Sequence, residues 1–394
     1  MNDGRSFYFL WVSQMIANAG DVLYIVGLIQ LVYLSSGSVL TLTLIPLTIT
    51  FSRLIGSFLT PLLLHRFPLR RILLSSMFGK VVVLSAVFFM KEEAIVWILL
   101  LVSMNAFLDG WASPVRQAML PEFAGKESLP KANSLVATSD NTVNLASWPI
   151  GAFFVALVGG GPLLLITISL YLVGWLLTFG IKHIPLLKKE VPLLKEQLSS
   201  GWAYSFSHPS IRNILILDSL LAFTGAVWIS AILYVYVEDV LDKSAAWWGY
   251  INAFFSGGCL IGGVIFYKLA KLPAIKLIIG GSILTGIVTV WFIHPVFAVM
   301  ALVLSFLLGV VGQLQGIAHL TILQTQTESE QLGAVFSAQE VLVTAAFGIS
   351  TLMFGWLAES FGIDLAFYVS AFLSVGAGIF AFVQRKTLYY QLNE

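Results

Sequence analysis

An ionisable side chain near the middle of an apolar helix costs about 2.5–3.5 kcal/mol on insertion scales, so each one is a functional candidate by default. Asp21 is the foremost. It lies within the apolar stretch 7–34, and Gln14, Asn18 and Asp21 follow one another at i, i+4 and i+7. That spacing puts all three on one helical face. A polar stripe of this kind should face a water-accessible cavity, where a carboxylate binds and releases a proton or holds a cationic substrate group. Arg53, near mid-depth of the second apolar stretch, is the expected charge partner. The alternative is a purely structural Asp21–Arg53 ion pair. Glu340 and Asp140, each about a third of the way into its stretch, are the next proton-coupling candidates. Lys80, in the third stretch, is expected to be a packing partner for some acid.

Other chemistries find no support. There is no Gly-x-x-x-x-Gly-Lys-Ser/Thr phosphate loop, no His-Glu-x-x-His, no Cys-x-x-Cys and no Gly-x-Ser-x-Gly elbow. The five histidines, at 65, 183, 208, 294 and 319, have no metal-ligand spacing. The single cysteine, Cys259, leaves no intrachain disulfide. No cofactor, metal or catalytic residue is expected, and the chain does not read as an enzyme.

The elements that must hold these residues follow from composition. Of 394 residues, 58% are hydrophobic and 10% charged, with a mean hydropathy of +0.92; soluble chains carry about 25% charged residues. No Asp, Glu, Lys or Arg occurs in 141–181 or 277–327, and each run is long enough for two bilayer crossings of roughly 20 residues. A soluble enzyme, a nucleic-acid binder and a disordered scaffold are excluded. Apolar segments bounded by turn residues or charges predict spans at 7–34, 40–64, 72–90, 94–111, 132–158 and 163–181, then at 213–237, 245–267, 275–292, 296–323, 332–357 and 365–383. Their length specifies helices rather than barrel strands of about 10 residues. The first stretch is expected to be an uncleaved span, being too long for a signal core. Nearly all of the 21 basic residues fall on one set of loops, and the opposite set holds only Lys91 and Lys243. By the positive-inside rule both termini are expected in the cytoplasm. The predicted fold is an all-α polytopic membrane protein, 12 transmembrane helices in two pseudo-symmetric six-helix bundles. The bundles cover 1–183 and 213–394, and a cytosolic linker, 184–212, lies on the membrane surface between them. A weak internal alignment at an offset of about 200, as in duplicated transporters, sets 133–140 opposite 333–340, with Asp140 and Glu340 at matching depth.

Several local motifs then resemble a known family. They are Gly20-Asp21, Gly37-Ser38, Ser113-Pro-Val-Arg116-Gln-Ala-Met-Leu-Pro121 with Leu129-Pro-Lys-Ala-Asn133-Ser134, Gly201-Trp-Ala-Tyr with His208-Pro209, Val237-Glu-Asp-Val-Leu241, and Gly333-Ala-Val-Phe-Ser337. The pattern resembles the major facilitator superfamily, and within it the branch of macrolide-efflux proteins and the enterobactin exporter. The superfamily's Gly-x-x-x-Asp-Arg-x-Gly-Arg-Arg loop is altered here to 61–71, with His65 in place of the acid. A substitute cytoplasmic gate is expected from His65, Arg66, Arg70, Asp109 and Arg116. The resemblance implies a midplane substrate site drawn from helices one, four, five, seven, ten and eleven. Its candidates are Gln14, Asn18, Tyr24, Asn105, Asn141, Asn144, Trp228, Gln313, Gln315, His319 and Gln339.

The expected function is export of a drug-like or siderophore-like amphipathic molecule by proton antiport with alternating access. It would be carried out by a monomer in the cell (inner) membrane whose partners are substrate, protons and the bilayer. The runner-up is transport of a lysophospholipid or lipid-linked molecule. A different class, a non-transporting receptor or assembly subunit, predicts no flux and tolerance of substitutions at Asp21 and Arg53.

Overall fold

Lipid offers no hydrogen-bond partner to a peptide group, so apolar segments fold as helices whose bonds are internal. A computed structural model of the chain describes residues 4–36, 39–64, 66–90, 95–182, 194–228, 230–244, 246–269, 273–294 and 297–388. Among the described residues there is no strand. The helices are α1 (Gly4–Ser36), α2 (Val39–Leu64), α3 (Leu69–Phe89), α4 (Ile95–Ala124), α5 (Leu129–Val158), α6 (Gly160–Thr178) and α7 (Leu194–Ser207). They continue with α8 (Pro209–Gly225), α9 (Ser230–Val235), α10 (Ala246–Leu269), α11 (Ala274–Ile293), α12 (Ala298–Gln326), α13 (Ser329–Phe361), α14 (Ile363–Val383) and α15 (Arg385–Leu388). Ten described segments are long and apolar enough to cross a membrane, and 48–64 of α2 is a shorter apolar helix.

Two elements depart from the sequence reading. The fourth helix, expected over 94–111, runs on to Ala124 with Pro114 and Pro121 inside it. Transmembrane helices tolerate such prolines where neighbouring groups satisfy the freed carbonyls. The seventh, expected unbroken over 213–237, is interrupted. α8 ends at Gly225, a 3-10 turn covers Ala226–Trp228, and after α9 a π-turn runs Tyr236–Val240. Gly225 is a weak helix former, and aromatic packing favours the break. The Trp228 ring meets Phe292 edge-on at 4.7 Å and Phe367 at 5.2 Å. Tyr236 stacks on Phe292 at 4.6 Å and donates its hydroxyl to the Phe292 carbonyl. Such pairs add about 0.5–1.5 kcal/mol each beyond their buried area.

The chain divides into two compact units. The first holds residues 1–126, 142–204 and 328–341; the second holds 127–141, 205–327 and 342–394. Helices α5 and α13 therefore each contribute to both. The divisions fall at Asn141/Thr142 and Val341/Leu342, the same offset that aligns 133–140 with 333–340.

In the first unit α1 packs on α6, α2 on α4, and α3 on both α4 and α6. The α2–α4 crossing is backbone to backbone: a Cβ at Gly56 would meet the Phe107 carbonyl, and one at Gly110 the Arg53 carbonyl. Ser57 Oγ closes the crossing by donating to the Gly110 carbonyl at 3.0 Å. Small residues permit this close approach, which is how helices associate in lipid. The start of α13 docks in the same unit. Ser337 donates to the Ser57 carbonyl, and the Ala334 carbonyl lies over Gly201 of α7.

In the second unit α10 packs on α12, and α11 on α12 and α14. The start of α5 docks there through Asn133, whose Nδ2 donates to Thr321 Oγ1 (3.1 Å) and Gln324 Oε1 (2.6 Å). Ser134 Oγ donates to the Gly263 carbonyl at 2.5 Å.

Candidate functional site

Six helices of the first unit bring their polar residues to one place. The close α2–α4 crossing sets Arg53, three residues before Gly56, beside Asp109, which precedes Gly110. Lys80 enters from α3 with a side chain only 3% exposed. Its Nζ donates to Asp21 Oδ1 of α1 at 2.9 Å and to Asp109 Oδ1 of α4 at 2.7 Å. Tyr171 of α6 donates its hydroxyl to the same Asp21 oxygen at 2.5 Å. Arg53 Nη1 lies 3.5 Å from Asp109 Oδ2. Arg53 Nε lies 3.2 Å from Glu340 Oε1 of α13 without hydrogen-bond alignment.

The result is a chain of alternating charge: Asp21, Lys80, Asp109, Arg53, Glu340. Both cations are shared. Asp109 sits between the two, whereas Asp21 and Glu340 each face one and form the ends. Taking charges out of water is costly unless each has an opposite charge and further hydrogen bonds. This connected arrangement satisfies that need for groups that would otherwise be isolated at membrane depth.

Asp21 therefore pairs with Lys80 rather than with Arg53, and the expected Asp21–Arg53 ion pair is corrected. Arg53 joins Asp109 and Glu340 instead. Of the proposed gate residues, Asp109 lies in this charge chain and Arg70 lies elsewhere. Arg70 Nη2 donates to the Phe179 carbonyl at 2.5 Å and its guanidinium lies over the Phe179 ring at 6.0 Å, tying α3 to the end of α6. Arg116 Nη1 donates to Asn18 Oδ1 at 3.3 Å. Arg66 is exposed, and His65 lies outside the described residues.

The substrate candidates separate by what their polar atoms already hold. In the first unit Gln14, Tyr24 and Asn105 are buried. Gln14 Nε2 and Asn105 Oδ1 are buried without a hydrogen-bond partner. Asn144 is exposed, and Gln339 is half-buried one residue before Glu340. In the second unit Asp140 is half-buried, and Asn141 Nδ2 donates to Gln313 Oε1 at 2.9 Å. Gln315 is fully engaged with α11: it donates to Ser282 Oγ (2.7 Å) and the Ile278 carbonyl (3.3 Å) and accepts from Thr285 (3.4 Å). Trp228 belongs to the aromatic cluster around Tyr236. For these two, helix packing accounts for the side chain.

Two groups were missed by the sequence reading: Tyr171, a neutral side chain in an apolar run that carries no charge signal, and Asp218. Asp218 of α8 lies 2.5 Å from His319 Nδ1 of α12, and the His319 side chain is 2% exposed with Nε2 unpartnered. The rule that singled out Asp21, a carboxylate inside an apolar run, applies equally to Asp218 in 213–237 and would have found it. Among the described residues no group of three or more metal-ligating side chains occurs.

Comparison with known proteins places this architecture. A family model described as Major Facilitator Superfamily matches residues 10–335. The chain is 27% identical over 393 residues to the MFS-type transporter YfmI of Bacillus subtilis, spanning 96% of each chain. It is 26% identical over 269 residues to the enterobactin exporter EntS of Shigella boydii, covering 64% of this chain and 61% of that one. In fold it is similar to a bacterial homologue of the iron transporter ferroportin in an outward-facing state, with a TM-score of 0.81, 16% identity, and coverage of 97% and 100%. It is also similar to the Escherichia coli fucose:proton symporter FucP, with a TM-score of 0.78, 13% identity, and coverage of 96% and 98%. The chain belongs to the Major Facilitator Superfamily, as a multi-pass membrane transporter of small molecules and not an enzyme.

Proposed function

We propose that the protein is a secondary active exporter of a drug-like or siderophore-like amphipathic molecule, driven by proton entry. It works as a monomer in the cell membrane with both termini in the cytoplasm. The observation that carries this reading is the shared-cation chain. Lys80 is held by both Asp21 and Asp109, so a proton arriving on Asp21 neutralises one end and leaves Lys80 to Asp109 alone. Glu340, at the other end, stands in the same relation to Arg53 and Asp109. Each end can then exchange a proton without leaving a cation unpaired, which is what a coupling site at membrane depth requires.

The transported molecule is recognised by amides with few fixed charges. Gln14 and Asn105 carry unpartnered polar atoms on the same helices as Asp21 and Asp109. The relative named as an enterobactin exporter supports export as the direction of transport and a siderophore-like cargo. Alternating access then returns the site to each side in turn.

The test is proton flux in proteoliposomes with an internal pH dye, challenged in turn with macrolides, catechol siderophores, lipophilic cations and lysophospholipids. Wild type is expected to move protons with a macrolide or siderophore, and Asp21→Asn to bind that ligand without moving protons. Ligand flux in Asp21→Asn that keeps its full pH dependence would remove Asp21 from the coupling role. A response to lysophospholipid alone would replace the cargo by a lipid.

A further inference from the structure

A cavity of about 280 Å³ lies within the second unit, between the α8 face and the 342–361 part of α13, with the end of α7 at its side. Arg212, Leu215, Ile216 and Phe223 of α8 line it, opposite Ala346 of α13. Their spacing keeps them on one helical stripe. From Arg212 to Phe223 the stripe spans about 16 Å at 1.5 Å per residue, about half of a 30 Å hydrocarbon core and so the depth of one leaflet. On α8 the other polar lining residue, Ser219, donates its hydroxyl to the Leu215 carbonyl, so beyond Arg212 the α8 wall is apolar in effect.

The Arg212 end differs. Arg212 is exposed at the first turn of a membrane-spanning segment and has no carboxylate partner among the described residues. Ser205 also lines the cavity, is fully buried, and its Oγ has no hydrogen-bond partner. A buried hydroxyl without a partner costs about 1–3 kcal/mol, so an acceptor arriving there is favoured. A guanidinium with no carboxylate partner among the described residues, and a buried hydroxyl without a hydrogen-bond partner, both lining an apolar slot, make a complementary surface for an anionic head on a hydrocarbon chain.

We infer that this cavity is a phospholipid site. One acyl chain of an anionic bilayer lipid lies along the α8–α13 groove, and its phosphate is held by Arg212 and the Ser205 hydroxyl. The site is separate from the Asp21–Glu340 charge chain, shares no residue with it, and does not depend on proton coupling. Its occupant comes from the surrounding leaflet, because Arg212 enters the span at its first turn, the level at which lipid phosphates lie.

Native mass spectrometry of the purified full-length protein tests the assignment, using phosphatidylglycerol and phosphatidylcholine with identical acyl chains. Wild type should retain one phosphatidylglycerol in preference to phosphatidylcholine. Arg212→Gln should weaken phosphatidylglycerol about fivefold, the effect of one basic residue at an anionic surface, and leave phosphatidylcholine unchanged. Ala346→Trp, which fills the slot, should displace both lipids, and Ile216→Trp provides a second filling variant should Ala346→Trp fail to fold. Monodisperse elution and an unchanged thermal melt identify the variants that are fit to compare. Equal retention by wild type and a folded filling variant would overturn the site. An unchanged headgroup preference in Arg212→Gln would overturn the role of Arg212. Displacement of the lipid by a transported compound whose own binding is lost in the filling variants would make the groove part of the transport route instead.

Discussion

Lys80 is the side chain on which the charge chain depends. It is nearly sealed from solvent and grips Asp21 and Asp109 at 2.9 and 2.7 Å. Lys80→Ala would leave two carboxylates facing one another with their common cation gone, and breaking such a buried pair costs about 3–5 kcal/mol. A thermal melt in detergent should show that loss, and Asp21→Asn in the same background should recover part of it by removing one of the stranded charges. If the Lys80→Ala melt matches wild type, the network does not hold the fold together. Much of this site was legible residue by residue: Asp21, Arg53, Glu340 and Lys80 stand out because a charge inside an apolar run needs a reason. Who pairs with whom was not legible. That depends on how each helix is rotated about its axis, and sequence spacing within one helix says nothing about its rotation against another.

At the scale of elements, the Gly56–Gly110 crossing is the feature that allows Arg53 to reach Asp109. A Cβ at Gly110 would fall on the Arg53 carbonyl and 2.8 Å from the Ser57 amide nitrogen, so the helices must part to admit it. Overpacking of this kind costs about 1–3 kcal/mol. Gly110→Ala should lower the melting temperature and impair transport together, whereas Gly312→Ala, where a Cβ meets nothing within 4 Å, should change neither. Equal effects at the two positions would mean that the crossing is not a tight contact. Hydropathy located the helices well, because lipid demands long apolar segments. It missed the break after Gly225, where the apolar run through Val237 reads as continuous and the interruption comes from Trp228 and Tyr236 packing on Phe292. It also stopped the fourth helix too early, because Pro114 and Pro121 look like terminators in a sequence and are tolerated in a membrane helix.

At the scale of the whole molecule, neither half of the sequence completes a unit by itself. The first needs 328–341, which brings Glu340 and Ser337, and the second needs 127–141, which brings Asn133 and Ser134. Expressed as two pieces cut at residue 193, the halves should be unstable alone and should assemble into a transport-competent complex when made together. Recovery of each half alone as a monodisperse, fully stable species would contradict this. The offset of 200 in the sequence, which set Asp140 and Glu340 opposite one another, recurs in the unit boundaries at 141/142 and 341/342. It did not reveal that these two segments dock with the other half, because the hydrogen bonds responsible join residues as distant as Asn133 and Gln324.

The same exchange has a consequence for recombination among relatives. Chimeras joined in the linker would carry each parent's α5 and α13 whole. Asn133 of one parent would then meet positions 321 and 324 of the other, and Ser337 would meet the foreign position 57. Chimeras with crossovers at 141/142 and 341/342, in addition to breaks near 126, 204 and 327, would inherit each unit intact from a single parent. Such shuffled libraries should yield the larger share of functional transporters.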